Sequence, residues 1–240
     1  MSTDVYKNYT STSVLTGVDV TKFTEWSHQY FKTYILPHIP QNKNCKILEI
    51  GCGYGRYTTL LTNTLKYNDI IGIDISEEQI EFAKKNYKLN NVFKADAVNY
   101  LKANPSKYEI IILMDVLEHL ELAYAIELLE EVNKALIPDG KLIIQVPNGL
   151  SPMKPIFYGD VTHVRAFSVN SMSQILRMAG FTHFQHFAVP PMVHSVKSFF
   201  HRIIWSTFIH PLVYIFLILS HGNAVGGIYS SNLLTVVYKK

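Results

Sequence analysis

The chain has 240 residues, enough to bury one large core. Hydrophobic residues make up 48% against 17% charged, which excludes extensive disorder. The net charge of +3 comes from 22 basic and 19 acidic side chains with no Lys/Arg block, so nucleic acid is not an expected partner, and the two cysteines, Cys45 and Cys52, exclude a disulfide scaffold or a four-cysteine zinc site.

Residues 1–20 are polar and are expected to form a loose arm, with no basic region followed by an apolar run to mark a secretory signal. Phe23, Trp26, Tyr30, Phe31 and Tyr34 recur at mostly helical spacing, which predicts an amphipathic helix over Thr21–Leu36, stopped by Pro37 and Pro40. From Lys46 the pattern changes to short apolar strands alternating with helices. Strands are predicted at Lys46–Ile50, Asp69–Ile73, Val92–Lys94, Tyr108–Leu113 and Lys141–Val146. Helices are predicted at Arg56–Leu65, at Glu77–Leu89 behind the N-cap Ser76, along Leu128, Leu129 and Val132, and at Ser171–Ala179, closed by Gly180. Pro138-Asp139-Gly140 reads as a turn, and Thr182–Val189 and Leu233–Tyr238 read as two final strands.

This order predicts an α/β fold: a doubly wound, seven-stranded, mostly parallel sheet with an N-terminal helical arm and a helical insert before the last strand. All 240 residues form a single domain: arm and helix 1–40, core 41–189, apolar insert 190–230, final strand 231–240. Ligands of such sheets bind beyond the carboxyl ends of the strands. After the first strand stands Glu49-Ile50-Gly51-Cys52-Gly53-Tyr54-Gly55-Arg56. A dinucleotide fingerprint wants a glycine where Arg56 stands, which makes an oxidoreductase a weak reading. Glu49 at the strand end suits a cationic ligand better than a pyrophosphate. Asp74, at the end of the second strand, can accept from two ribose hydroxyls, or can serve as a turn residue. Asp96-Ala97 stands where an adenine amino group would be read; alone, Asp96 is an ordinary loop carboxylate.

The segments Glu49–Gly55, Gly72–Asp74, Asp96–Ala97, Asp115–Leu120 and Pro138–Leu142, in this order, resemble class I S-adenosylmethionine-dependent methyltransferases. The resemblance covers residues 40–150 well and runs more loosely to 189. It implies the Rossmann-like methyltransferase fold and S-adenosylmethionine as cofactor. The ligand would be held by Glu49, the loop Gly51, Cys52, Gly53 and Gly55, Asp74 with Ile75 against the adenine, Asp96, Ala97 and Asp115.

After the fifth strand, Phe157-Tyr158-Gly159-Asp160-Val161-Thr162-His163-Val164-Arg165 forms a long polar segment over the expected cleft. Its Tyr-Gly-Asp-x-Thr-His pattern resembles a bacterial methyltransferase subgroup that acts on sugars of surface polysaccharides such as capsule and O-antigen. An alcohol acceptor must lose a proton as it attacks, and a neutral imidazole is a fitting base. His163 is the first candidate and His119 the second, with Asp160 orienting the ring; the alternative for His163 is a backbone-bonded loop histidine. Tyr158 and Arg165 are candidate acceptor contacts. Asp115, Glu118 and His119 are conceivable ligands of a divalent ion, but mixed donors do not identify one, and no metal is assigned.

Residues 203–238 contain no Lys, Arg, Asp or Glu, and Pro211–Leu219 is continuously apolar. Those nine residues fall short of the ~20 needed to span a bilayer, and a single crossing would strand the last strand on the far side. The stretch 196–219 is instead expected to be a lid, a homodimer interface or a surface contact with a membrane, with Lys197 and Arg202 toward anionic lipid. The expected partner is a small-molecule or lipid-linked sugar acceptor. The expected localisation is cytoplasmic, at the inner membrane face for a lipid-linked acceptor. The competing functions are a quinone or lipid-precursor O-methyltransferase, metal-assisted or not, and a non-catalytic cofactor-binding or membrane-docking subunit. The intact glycine loop and the two cleft histidines argue against the last.

Overall fold

The computed structural model describes residues 20–105 and 107–240; the arm expected over residues 1–20 lies outside them, save Val20. The strands are β1 (Lys46–Ile50), β2 (Asp69–Asp74), β3 (Val92–Lys94), β4 (Tyr108–Met114), β5 (Leu136–Pro147), β6 (His183–Val189) and β7 (Asn232–Tyr238). They form one sheet in the order β3-β2-β1-β4-β5-β7-β6. β1 to β5 run parallel, and β7 lies antiparallel between β5 and β6. Strand order reverses at β1, which is flanked by β2 and β4, and the ligand crevice of such a sheet opens there.

Successive strand residues feed opposite layers. Leu48, Ile111, Leu113, Leu142 and Ile144 pack on one side against α4 (Ala97–Lys102), α5 (Leu122–Ala135) and α7 (Val169–Met178). Ile47, Ile110, Ile112 and Ile143 pack on the other, against Phe31 of α1 (Val20–Tyr34) and Tyr57 of α2 (Arg56–Thr59). Both faces are covered, so the strands are apolar throughout rather than alternating. α2 continues as a π turn over Leu60–Thr64, and α3 (Glu77–Tyr87) follows β2 with Ser76 at its N-cap position. After the short α6 (Pro155–Tyr158), α7 begins two residues earlier than the spacing predicts, because Ser168 and Ser171 form a reciprocal capping box. Cys45 and Cys52 are both buried and unpaired.

Two expectations are corrected. Pro138-Asp139-Gly140 is not a turn between elements but a bulge inside β5, where the register against β4 shifts. The Lys239 backbone bonds both Asp139 and Gly140, so the far end of the chain holds this segment in the sheet. The insert is also longer than its apolar run. α8 (Val196–Ile204), a π turn at Trp205–Ile209 and α9 (His210–His221) make one helix of 26 residues, about 39 Å at ~1.5 Å per residue. By length and composition it is sufficient to cross a membrane, so the length argument fails. Pro211 does not end it: the preceding π turn closes His210 N–H onto the Trp205 carbonyl and absorbs the ring. The topological argument stands, since β6 before the helix and β7 after it are adjacent in the sheet.

Candidate active site

A cavity of about 740 Å³ opens at the carboxyl ends of β1, β2 and β4, walled by the glycine loop, by Asp74 and Asp96, and by Asp115, Glu118, His119 and His163. On the β1 side it is built largely from backbone. The Gly51 and Cys52 N–H groups both donate to the Ile73 carbonyl, folding the loop across β2. Gly51 has φ +71, and a Cβ there would stand 2.4 Å from Cγ2 of Val116. Gly55, also left-handed, occupies the N-cap of α2. Cys52 lines the cavity and is packed with Ile80, Ala83, Leu89 and Val92. Glu49 is buried and accepts a 2.5 Å hydrogen bond from the Thr58 hydroxyl. Burial pushes its carboxyl up to about 7 against that bond.

Asp74 accepts from the Ser76 N–H on one oxygen and the Gly53 N–H on the other, each at 2.8 Å. The Ile75 N–H also faces it, and the carboxylate keeps acceptor capacity for a hydroxyl donor. Ile75 and Ala97 line the cavity as expected. Asp96 has a structural duty as well as a place in the wall: it caps α4 through the Asn99 N–H and accepts from the Tyr124 hydroxyl at 2.7 Å. These residues fit an adenine nucleoside with a cationic amino-acid tail, as expected for S-adenosylmethionine.

Asp115 directly follows β4 with φ +58, a conformation uncommon outside glycine and reached more easily by Asp than by most side chains. Its carboxylate accepts from Gln145 Nε2 at 3.0 Å and lies 3.7 Å from the Arg56 guanidinium. Tyr30 in turn donates to Gln145 Oε1, and Asn232 to the Tyr30 hydroxyl, so α1, α2, β4, β5 and β7 meet in one polar chain. The sequence reading missed Arg56, Gln145 and Tyr30 as parts of this site. In the sequence Arg56 stands out only as a missing glycine.

On the other wall, the loop after β5 is tied down by backbone. The Val164 and Arg165 N–H groups donate to the Glu118 carbonyl at 2.8 and 3.2 Å. His163 and His119 thereby come together with ring centroids 4.6 Å apart. His163 Nδ1 lies 2.7 Å from the Phe157 carbonyl, which can only accept, so Nδ1 carries a proton and the lone pair of the neutral ring is on Nε2. Nε2 is 3.9 Å from Glu118 Oε1. Burial, and the Asp115 carboxylate beside it, push the Glu118 carboxyl well above the usual carboxylate range. Asp160 does not orient His163 as expected. It accepts from the Thr162 hydroxyl at 2.6 Å, and that oxygen faces His119 Nδ1 at 2.9 Å, so Asp160 acts on His119 through Thr162. Burial, then the neighbouring His163, push the His119 ring down to about 4, which keeps it neutral at pH 7.

The ion-ligand grouping expected at Asp115, Glu118 and His119 is also redrawn. Asp115 is engaged by Arg56 and Gln145, and the three ligand atoms within 4.8 Å of one another belong to Glu118, His119 and His163. Tyr158 is 72% exposed, and neither it nor Arg165 forms part of the cavity wall, so the geometry supports neither as an acceptor contact.

A family model described as a methyltransferase domain matches residues 24–186, more than half of the chain. The chain belongs to the methyltransferase-domain family. Its cofactor is S-adenosylmethionine. It is similar to trans-aconitate 2-methyltransferase of Sinorhizobium fredii, with 26% identity over 143 residues covering 60% of this chain and 54% of that protein. It is also similar to the ubiquinone biosynthesis O-methyltransferase of Rickettsia bellii, with 30% identity over 125 residues covering 50% and 49%. The chain thus spans about half the length of these curated relatives. Among solved structures, an S-adenosylmethionine-dependent methyltransferase from Archaeoglobus fulgidus matches with TM-score 0.65 and 23% identity, over 90% of this chain and 94% of that one. Phosphoethanolamine N-methyltransferase 2 of Haemonchus contortus, crystallised with S-adenosylmethionine, matches with TM-score 0.63 and 17% identity over 98% and 60%. At these identities the structural likeness speaks for the fold.

Proposed function

We propose that the chain transfers a methyl group from S-adenosylmethionine to an oxygen acceptor, a sugar hydroxyl in a surface-polysaccharide precursor, with His163 as general base. The observation that carries this reading is the Nδ1–H of His163 locked on the Phe157 carbonyl, which leaves Nε2 as a proton acceptor at the cavity wall. S-adenosylmethionine, when bound, supplies a methyl group already activated on a sulfonium. The work of the chain is then to position and to move one proton. Glu49 and the loop at Gly51–Gly53 hold the methionyl end, Asp74 takes the ribose hydroxyls, and Ile75, Asp96 and Ala97 border the adenine. His163 Nε2 takes the hydroxyl proton as the new O–C bond forms and the methyl–sulfur bond breaks, its electron pair staying on the sulfur of the demethylated product. The Tyr158–His163 pattern supports the sugar class, with Tyr158 itself outside the contact surface.

The test is turnover of a His163→Ala variant against nucleotide-linked sugars, read as release of the demethylated cofactor, beside calorimetry with S-adenosylmethionine. Turnover should fall by ~10²–10⁴ with cofactor affinity held within about twofold. Turnover at the unmodified rate would remove His163 from the role.

A second reading is favoured by the grouping of Glu118, His119 and His163, where both Glu118 carboxylate oxygens are buried without a hydrogen-bond partner. A divalent ion on these donors would polarise an acceptor hydroxyl directly, as suits a phenol of a quinone or lipid precursor. Here chelation abolishes turnover and an added ion restores it. In the base reading, chelation changes nothing.

A further inference from the structure

The helix Val196–His221 is bound to the domain at its root. Ser195 and Ser198 cap its first turn, and Arg202 donates to the Pro191 carbonyl at 3.2 Å. His210 Nε2 lies 3.2 Å from the Gly227 carbonyl, and its ring packs on Tyr229, so the returning segment folds back against the helix midpoint. Apart from Ser198, no side chain of this helix is buried. Along α9, Leu212, Phe216 and Leu219 stand on one face at 65%, 63% and 82% exposure. Tyr214 and Ile218, about 200° away at ~100° per residue, are exposed as well. Upstream, Phe199, Phe200 and Phe208 are more than half uncovered or close to it.

The arrangement of these side chains decides what covers them. A second copy or a protein partner laid along a helix covers one face and leaves the opposite one wet. A helix apolar on opposite faces is satisfied only by a medium that surrounds it. The charge pattern agrees: residues 203–238 carry no Lys, Arg, Asp or Glu, while Lys197 and Arg202 stand at the beginning of the helix, where they can meet lipid phosphate. We infer that the helix Val196–His221 is a monotopic membrane anchor, embedded in one leaflet of a phospholipid bilayer.

Both ends of the helix return to neighbouring strands, so it enters the bilayer without carrying β7 across. The returning segment is also pinned to the catalytic end of the sheet. Asn148, directly after β5, donates to the Ile228 and Ser230 carbonyls at 2.9 Å. The anchor therefore leaves the domain at the same end of the sheet as the cavity, which turns that end toward lipid. This inference rests on the insert alone and does not depend on which acceptor the site takes.

The test is flotation of the full chain with vesicles of phosphatidylcholine, and of phosphatidylcholine with phosphatidylglycerol at low and high salt. The unmodified chain should float with both, and more strongly with the anionic vesicles at low salt. A Leu212→Glu/Phe216→Glu/Leu219→Glu variant should lose at least ~100-fold in partitioning while S-adenosylmethionine binding and circular dichroism stay unchanged. A readout that needs no altered anchor is quenching of Trp205 by brominated lipid in a Trp26→Phe background, which should be strong. The anchor is refuted if the chain stays soluble with Trp205 unquenched, if the variant floats equally well, or if the helix proves to be buried in a dimer that ignores vesicles.

Discussion

The two walls of the cavity are held by different means. The β1–β2 wall is fixed by backbone donors over short range: Gly51 and Cys52 onto Ile73, Gly53 and Ser76 onto Asp74. The opposite wall is assembled from segments more than forty residues apart, with Val164 and Arg165 on the Glu118 carbonyl and Thr162 between Asp160 and His119. The first cradle resists most side-chain changes and fails when a Cβ intrudes, whereas the far wall adds to its backbone bonds the side-chain links of Thr162 with Asp160 and His119, which a single substitution can cut. The first wall suits a cofactor of fixed shape; the second can be retuned for an acceptor without disturbing the first.

Several substitutions would break this contrast, from the largest effect down. Gly51→Val places a branched side chain at φ +71 against Val116. Cofactor affinity should fall at least ~100-fold by calorimetry, and turnover with it. Thr162→Val cuts the link from Asp160 to His119. It should lower kcat by about 10-fold and leave cofactor affinity within about twofold; an equal loss in both would mean that the walls are coupled.

The Glu49 carboxyl, held at about 7 by burial, must be ionised to meet a cationic ligand. Protons therefore compete with the cofactor's ammonium group. Calorimetry should show affinity weakening as pH falls below about 7, by up to ~tenfold per unit, and Glu49→Gln should bind weakly with a flat profile. The smallest effect belongs to Tyr158→Ala. Its ring stands in solvent away from the cavity wall, so kcat/KM should move by less than about twofold.

The same contrast explains what the sequence reveals. Short apolar runs ending at Gly51, Asp74 and Asp96 mark strands and the cofactor wall together, because the same few consecutive residues form the strand end and the cradle. His163 and His119 are visible as candidates, but their partners are not. The Phe157 carbonyl and the backbone bonds to Glu118 leave no mark in residue identity, and Asp160 stands closer in sequence to His163 than to the His119 that it serves. Arg56 and Gln145 are hidden for the same reason, since Asp115 joins them only when β4, β5 and α2 are in register. The insert is misjudged in length because Ser206, Thr207, His210 and Pro211 interrupt its apolar run, while the π turn carries the helix through them.

The two cysteines have a practical consequence. Cys45 is fully enclosed, Cys52 is 3% exposed, and burial raises both thiols, Cys45 to about 11. The folded protein should therefore react little with maleimides at neutral pH, because the thiolate is both scarce and out of reach. One cysteine introduced at Leu219 would carry a dye or spin label alone, with no need to strip the native pair, and the depth and mobility of the helix tip would be readable from a single reporter.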